Sequence, residues 1–171
     1  MNPVIENILT RRSVRAFNNQ SIPEGELKQI LQAALYAPSG MNRQTWQFTA
    51  ITNREKIQAL AKIIDKVLDR PGYNFYNPAA LVITSNEKES PWRKEDNACA
   101  LENMFLAAHS LGIGSVWINQ LQDICDNQEI RVYLRALGIP ENHGIYGVAA
   151  LGYAEKEVGQ VSKKGKIIII E

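Results

Sequence analysis

Three arginines and a hydroxyl stand within five residues in "RRSVR" (11–15). Guanidinium groups bind phosphate oxygens in pairs, so Arg11, Arg12, Ser13 and Arg15 could form an anion site. The competing explanation is structural: arginines at the end of a helix favour its dipole. The chain has no glycine-rich phosphate loop, since "GIGS" (112–115) fits neither G-x-G-x-x-G nor the Walker pattern. A nucleotide bound here must be held mainly by side-chain cations. A second stretch, "APSGMNRQTW" (37–46), combines proline, a small hydroxyl, glycine and several amides directly after an apolar stripe of Leu27, Ile30, Leu31, Ala34 and Leu35. It reads either as a stop signal with a turn or as a loop that hydrogen-bonds a planar, polar ligand. Only His109 and His143 are available as histidines, and no Ser–His–Asp spacing exists. Cys99 and Cys125 make no metal-ligand set and no disulfide framework. If the protein is an enzyme, a cofactor performs the chemistry.

Composition narrows the classes. The 171 residues suit one domain, 1–171, with 45% hydrophobic and 22% charged residues. A net charge of +1 supplies no general attraction to nucleic acid or anionic membranes. No apolar run approaches the ~20 residues of a membrane helix, and "MNPVIENILTRRS" lacks the parts of a signal peptide. These features predict a cytoplasmic protein without structural metal.

The elements that position these residues follow from periodicity. Asn2 caps a first helix through Pro3 to Thr10, with Ile5, Ile8 and Leu9 expected inside. A second helix runs from about Pro23 to Tyr36. "WQFTAIT" (46–52) alternates as a strand, and Asn53 then caps a third helix to about Leu68, whose inner face includes Ile57, Leu60, Ile64 and Leu68. "ALVITS" (80–85) reads as an interior strand, "NEKESPWRKEDN" (86–97) as a solvated loop. A fourth helix turns Leu101, Met104, Phe105, Ala108 and Leu111 inward and ends at Gly112. "SVWI" (115–118) is a strand, "NQEIRVYLRALG" (127–138) a helix, and "GIYGVAALGY" (144–153) a strand whose small residues imply close packing. Cys99, His109, Trp46 and Trp117 are expected as core residues. "KIIIIE" (166–171) reads as a final strand that must be covered on both faces, in this chain's sheet or a partner's. Alternating helices and strands predict a central sheet covered on both faces.

Four stretches in order resemble the nitroreductase family of flavin mononucleotide (FMN) proteins, nearly end to end. "RRSVRAF" is similar to the family's R-x-S-x-[RK]-x-F start, and "IPEGELKQILQAALYAPSGMNRQTWQF" to its I-P-E…A-P-S-x-x-N-x-Q-P-W-x-F signature. "LENMFLAAHSLGIGSVWI" resembles its central helix and strand, and "ALGIPENHGIYGVAALGY" its L-G-I-P…G-Y segment. The chain departs in Thr45, where proline is usual, in lacking a long insertion, and in carrying "SKKGK" (162–166) where a C-terminal arginine is expected.

The resemblance implies an α+β fold, a three-layer α/β/α arrangement with a central mixed sheet, in an intertwined homodimer that exchanges its C-terminal strand and holds FMN at the interface. It implies that Arg11 and Ser13 bind the phosphate with Arg12 beside it, and that Arg15 reaches the ribityl chain and the O2/N1 edge. Lys164, with Lys166 or Ser162, would complete the phosphate site. Pro38, Ser39, Gly40 and Asn42 would come from the other subunit and lie along the isoalloxazine ring, with Ile118, Asn119 and Gln120 near N5 and O4. The implied activity is hydride transfer from NADH or NADPH through flavin N5 to a small organic acceptor, a nitroaromatic or quinone, in ping-pong order. A flavin-binding module without turnover, for storage or sensing, is the alternative. Nucleic-acid binding through "RRSVR" is disfavoured by the near-neutral charge and the lack of a basic stripe.

Overall fold

The computed structural model describes residues 1–159 and 161–171. Four strands form one sheet: β1 (Trp46–Ile51), β2 (Ala80–Glu87), β3 (Gly114–Ile118) and β4 (His143–Gly152), in the spatial order β1-β2-β4-β3. Every neighbouring pair is antiparallel, which corrects the expected mixed sheet. Among the described residues, the parallel component is an isolated bridge between Ser13 and Ser115. The two inner strands are buried on both faces, which is why "ALVITS" and "GIYGVAALGY" lack polar alternation.

Side chains of the inner strands split by parity, as the pleat requires. Leu81, Ile83, Val148 and Ala150 join a core with helices α3 (Arg54–Leu68) and α5 (Gln128–Ala136). Ala80, Val82, Ala149 and Leu151 join a second core with α2 (Glu24–Leu35) and α4 (Arg93–Ser110). The result is the expected α/β/α layering. Gly147 shows why small residues crowd β4: a Cβ there would lie 2.4 Å from Leu101 Cδ1 and 3.1 Å from the Trp117 ring. It sits at a register shift between Thr84 and Ser85.

Several expectations fail, each for a physical reason. Helix α1 (Pro3–Thr10) forms as read, with the Asn2 side chain accepting from Val4 N, but Ile5, Ile8 and Leu9 are exposed. What ties α1 to α4 is polar: Asn7 Nδ2 donates to Leu106 O at 2.9 Å. Leu35 and Leu68, the last residues of their helices, are also exposed. The 86–97 segment is no solvated loop; β2 runs to Glu87, α4 starts at Arg93, and Asn86, Ser90, Asp96 and Asn97 are buried. Cys99 points outward, His109 is half-buried, Trp46 packs partly buried against the α2/α4 core and Trp117 is 40% exposed. "KIIIIE" forms no strand here, and Ile167 to Ile170 lie exposed.

Candidate functional site

The chain leaving α1 turns past the C-terminal end of α4. Thr10 Oγ1 lies 2.9 Å from His109 Nε2, and Val14 N donates to Ser115 O at 3.0 Å. These contacts hold residues 10–15 against the last turn of α4 and the start of β3. A cavity of about 330 Å³ opens there, lined by Arg11, Arg12, His109, Gly114, Ser115 and Glu157 among others. Arg12 Nη1 donates to the carbonyls of Leu9 and Arg11, both at 2.7 Å. The helix-terminus reading therefore accounts for Arg12, although its Nε is buried without a partner. It does not account for Arg11, whose Nε is 3.9 Å from a half-exposed Glu102. Arg15 is exposed and forms no ion pair among the described residues. Partial burial, and then the positive charges of Arg11 and Arg12, hold His109 below its ordinary pKa. This corner is electropositive and its cations are weakly paired.

The second stretch lies at the other end of the same helix. Gly40 N donates to Asp96 Oδ1 at 2.8 Å, and Asp96 is only 4% exposed. The Gly40 backbone rests on the Trp92 ring so closely that a Cβ would fall 2.3 Å from Cδ2. Only glycine fits without moving that indole. Met41, Asn42 and Gln44 are left-handed, with φ of 52°, 56° and 51°. Asparagine tolerates this conformation well; its Oδ1 accepts from Gln44 Nε2 at 2.6 Å. Pro38 and Asn42 are exposed, while Ser39 is half-buried and its carbonyl accepts from Asn42 N. The inner side of this loop is anchored on α4 and its outer side presents polar groups.

Beneath the loop, Thr45 Oγ1 donates to Asn86 Oδ1 at 2.6 Å and Asn86 Nδ2 to Asn97 Oδ1 at 3.4 Å. Asp96 Oδ2, Asn97 Nδ2 and Ser90 Oγ are buried and unpartnered. Asp96 and Trp92 are the supporting residues that sequence reasoning missed, because the charges of 86–97 masked them. Extending the α4 stripe one turn back from Leu101 reaches Asn97, and that periodicity was the available signal.

Asp96 and His109 are thirteen positions apart in α4, which separates them by about 20 Å at ~1.5 Å per residue. A single chain therefore holds Arg11 and Ser13 at one end of this helix and Ser39 to Asn42 at the other. The 118–120 run divides further. Ile118 is 3% exposed with its side chain in the core, so only its backbone can meet a ligand. Asn119 is exposed and Gln120 half-buried, its Oε1 accepting from the Tyr73 hydroxyl at 3.5 Å. Ser162, Lys164 and Lys166 lie exposed in the C-terminal arm. Among the described residues, no hydrogen bond or ion pair joins the arm to Arg11 or Ser13.

With this geometry in place, likeness to known proteins is informative. The model of the nitroreductase family matches residues 8–80 and 71–153. A crystal structure of a nitroreductase with bound FMN from Bacteroides fragilis is 44% identical, with a TM-score of 0.94 over 100% of both chains. A second nitroreductase with bound FMN, from Desulfitobacterium hafniense, is 26% identical, with a TM-score of 0.88 over 100% of both chains. A protein of Archaeoglobus fulgidus, provisionally named NADH dehydrogenase/NAD(P)H nitroreductase, is 32% identical over 92% of this chain and 88% of its own.

Proposed function

The chain belongs to the nitroreductase family, and from that membership and the geometry of its two half-sites we infer an FMN-dependent oxidoreductase that uses NADH or NADPH. When bound, FMN supplies a two-electron carrier that takes hydride from the nicotinamide at N5 and hands it to an organic acceptor, a nitroaromatic or quinone, in alternating half-reactions. The protein acts in the cytoplasm as a homodimer of single domains. No helix among the described residues is long and apolar enough to cross a membrane.

The residues present fit the cofactor. Arg11 borders the cavity with Glu102 3.9 Å away, and Ser13, half-buried and outside the cavity lining, is assigned the neighbouring hydroxyl donor. Arg12 stands behind them, fixed by its bonds to helix carbonyls. Arg15 extends to the ribityl chain and the O2/N1 edge, where a fixed cation favours negative charge. Lys164, with Lys166 or Ser162, completes the phosphate contacts from the arm. Pro38, Ser39, Gly40 and Asn42 of one protomer form a wall of its partner's site. Main-chain groups of Ile118 and Asn119 and the Gln120 amide hydrogen-bond the N5/O4 edge. No side chain is required as a general acid or base.

The observation that supports this reading is that residues 10–15 and the loop at 39–42 lie at opposite ends of α4. A second copy brings one protomer's arginines to the other's loop. Two surfaces support such a dimer: the exposed Val4, Ile5, Ile8 and Leu9 of α1, and Ile167 to Ile170 of the arm. The test has two steps. Purified protein should bind FMN in preference to riboflavin, and anaerobic NADH or NADPH should bleach its flavin absorbance. Flavin that binds but does not bleach leaves only the storage or sensing alternative.

A further inference from the structure

A cleft of about 190 Å³ lies between the 70–76 segment and Gln120. Phe75, Tyr76 and Asn77 in succession take left-handed conformations, with φ of 53°, 66° and 50°. Such angles are rare for bulky side chains. The segment is held in this shape by Phe75, which is 1% exposed and packed into the α3/α5 core. Tyr73 stacks edge-on against Phe75 with ring centroids 4.9 Å apart, and Asp65 Oδ1 accepts from Tyr73 N at 3.4 Å. The result is a fixed aromatic wall with Tyr76, 41% exposed, at its mouth.

One cation stands at the rim of the cleft, and the Asp65 carboxylate lies behind its wall at Tyr73 N. The Arg70 guanidinium lies 5.8 Å from the Tyr73 ring centroid, so an aromatic face holds it at the rim. Arg70 forms no ion pair among the described residues, and no carboxylate lines the cleft. Burial pushes the Tyr73 hydroxyl above its ordinary pKa, so it stays protonated and keeps its bond to Gln120 Oε1, which leaves the side-chain amides as the cleft's polar donors. A planar ring with an anionic substituent matches this combination of aromatic wall, polar donors and a single uncommitted cation.

Gln120 connects the cleft to the chemistry, because it ends the run assigned above to the N5/O4 edge. We propose that this cleft is the acceptor subsite and that Arg70 selects planar aromatic acceptors carrying a carboxylate or sulfonate. The inference rests on the oxidoreductase reading. It differs from a nicotinamide-phosphate contact in which substrate Arg70 affects.

The test uses the flavin-loaded protein with 4-nitrobenzoate and nitrobenzene as acceptors. Arg70→Gln should lower kcat/KM for 4-nitrobenzoate about tenfold, mainly through KM, and leave nitrobenzene within about twofold. Arg70→Lys should recover most of the loss. Benzoate, which cannot be reduced, should bind about tenfold more weakly to Arg70→Gln by calorimetry, a measurement that needs no turnover. Equal effects on both acceptors, a change confined to the KM for NAD(P)H, or unchanged benzoate binding would overturn the assignment. Absence of flavin bleaching by NAD(P)H would instead count against the oxidoreductase reading, and benzoate binding would still decide the cleft.

Discussion

The two ends of α4 solve different problems. At its N-terminal end, the chain spends buried polar groups on holding a loop: Asp96 binds Gly40 N, Trp92 supports the backbone, and Arg43 lies 5.4 Å from the Trp92 ring centroid. At its C-terminal end, the chain gathers Arg11 and Arg12 around a cavity, with Glu157 in the lining and Glu102 3.9 Å from Arg11. The first end is a braced loop whose outer side is exposed at Pro38 and Asn42. The second is the proposed anion receptor, open on its outer side. Each end supplies what the other lacks, and the rigid helix keeps them apart. On the proposed reading, a molecule built this way is complete only as two copies.

The largest effect should come from removing the arm that is proposed to join the copies. Deleting residues 161–171 removes four exposed isoleucines and the lysine cluster. Covering four isoleucines contributes on the order of 6–12 kcal/mol before entropy, at ~1.5–3 kcal/mol each. The truncated chain should shift from dimer towards monomer or aggregate by sedimentation, with low flavin occupancy. A dimer with full occupancy would remove the arm from the account.

Next in size is Arg11→Ala, which strikes the receptor end alone. It should weaken FMN by roughly 1.5–3 kcal/mol, the scale of a lost charge-assisted hydrogen bond. Riboflavin affinity should hardly change, because riboflavin has no phosphate to lose. An equal loss for both ligands would mean that Arg11 supports the fold, not the anion.

How legible these two ends were in the sequence differs, and the reason is physical. The strands and helices were readable because burial imposes period, as in the parity of Leu81 and Ile83 against Ala80 and Val82. The arginine cluster was readable because three like charges in five residues demand an explanation. The support of the loop was not, since Asp96 and Asn97 are buried for hydrogen bonding, and polar residues look solvated until a partner is seen. The exposed face of α1 escaped for the opposite reason, since apolar periodicity predicts a covered face without saying what covers it, while the arm was read as covered by this chain or a partner and lies exposed here. Cys99 was misread because its alanine neighbours lie on both sides of the helix.

Asp96→Ala strikes the wall end and should have a moderate effect. Leaving Gly40 N without its buried acceptor costs about 1–3 kcal/mol of stability. Flavin occupancy should drop while helix content by circular dichroism is retained, and Asp96→Asn, which keeps an acceptor oxygen, should recover most of it. Full occupancy in Asp96→Ala would show that the loop holds its shape unaided.

The smallest effect is the pH dependence of stability. His109 is held below its ordinary value near 6.5 by burial, then by Arg11 and Arg12. His143 is lowered by burial first, with Arg131 acting the same way and Glu87 opposing it. Below pH ~6.5 the unfolded chain binds more protons than the folded one, so stability is full above that value and declines as pH falls. Urea midpoints at pH 7.5 and 5.5 should show this slope, flattened by His109→Gln or His143→Gln. An anion beside Arg11 and Arg12 offsets their field, so saturating FMN should reduce the His109 share without abolishing it, because burial is the larger cause.

The central claim is that each site is shared between two protomers, and a mixed dimer tests it most directly. Arg11→Ala and Asn42→Ala chains, each carrying a different tag, are co-expressed and the doubly tagged dimer isolated. If the sites are shared, one site of this dimer carries both substitutions and the other carries neither. Flavin titration should then show one FMN per dimer bound with the affinity of the unmodified protein, while each parent homodimer shows none. A mixed dimer with two weakened sites and no restored one would contradict the account.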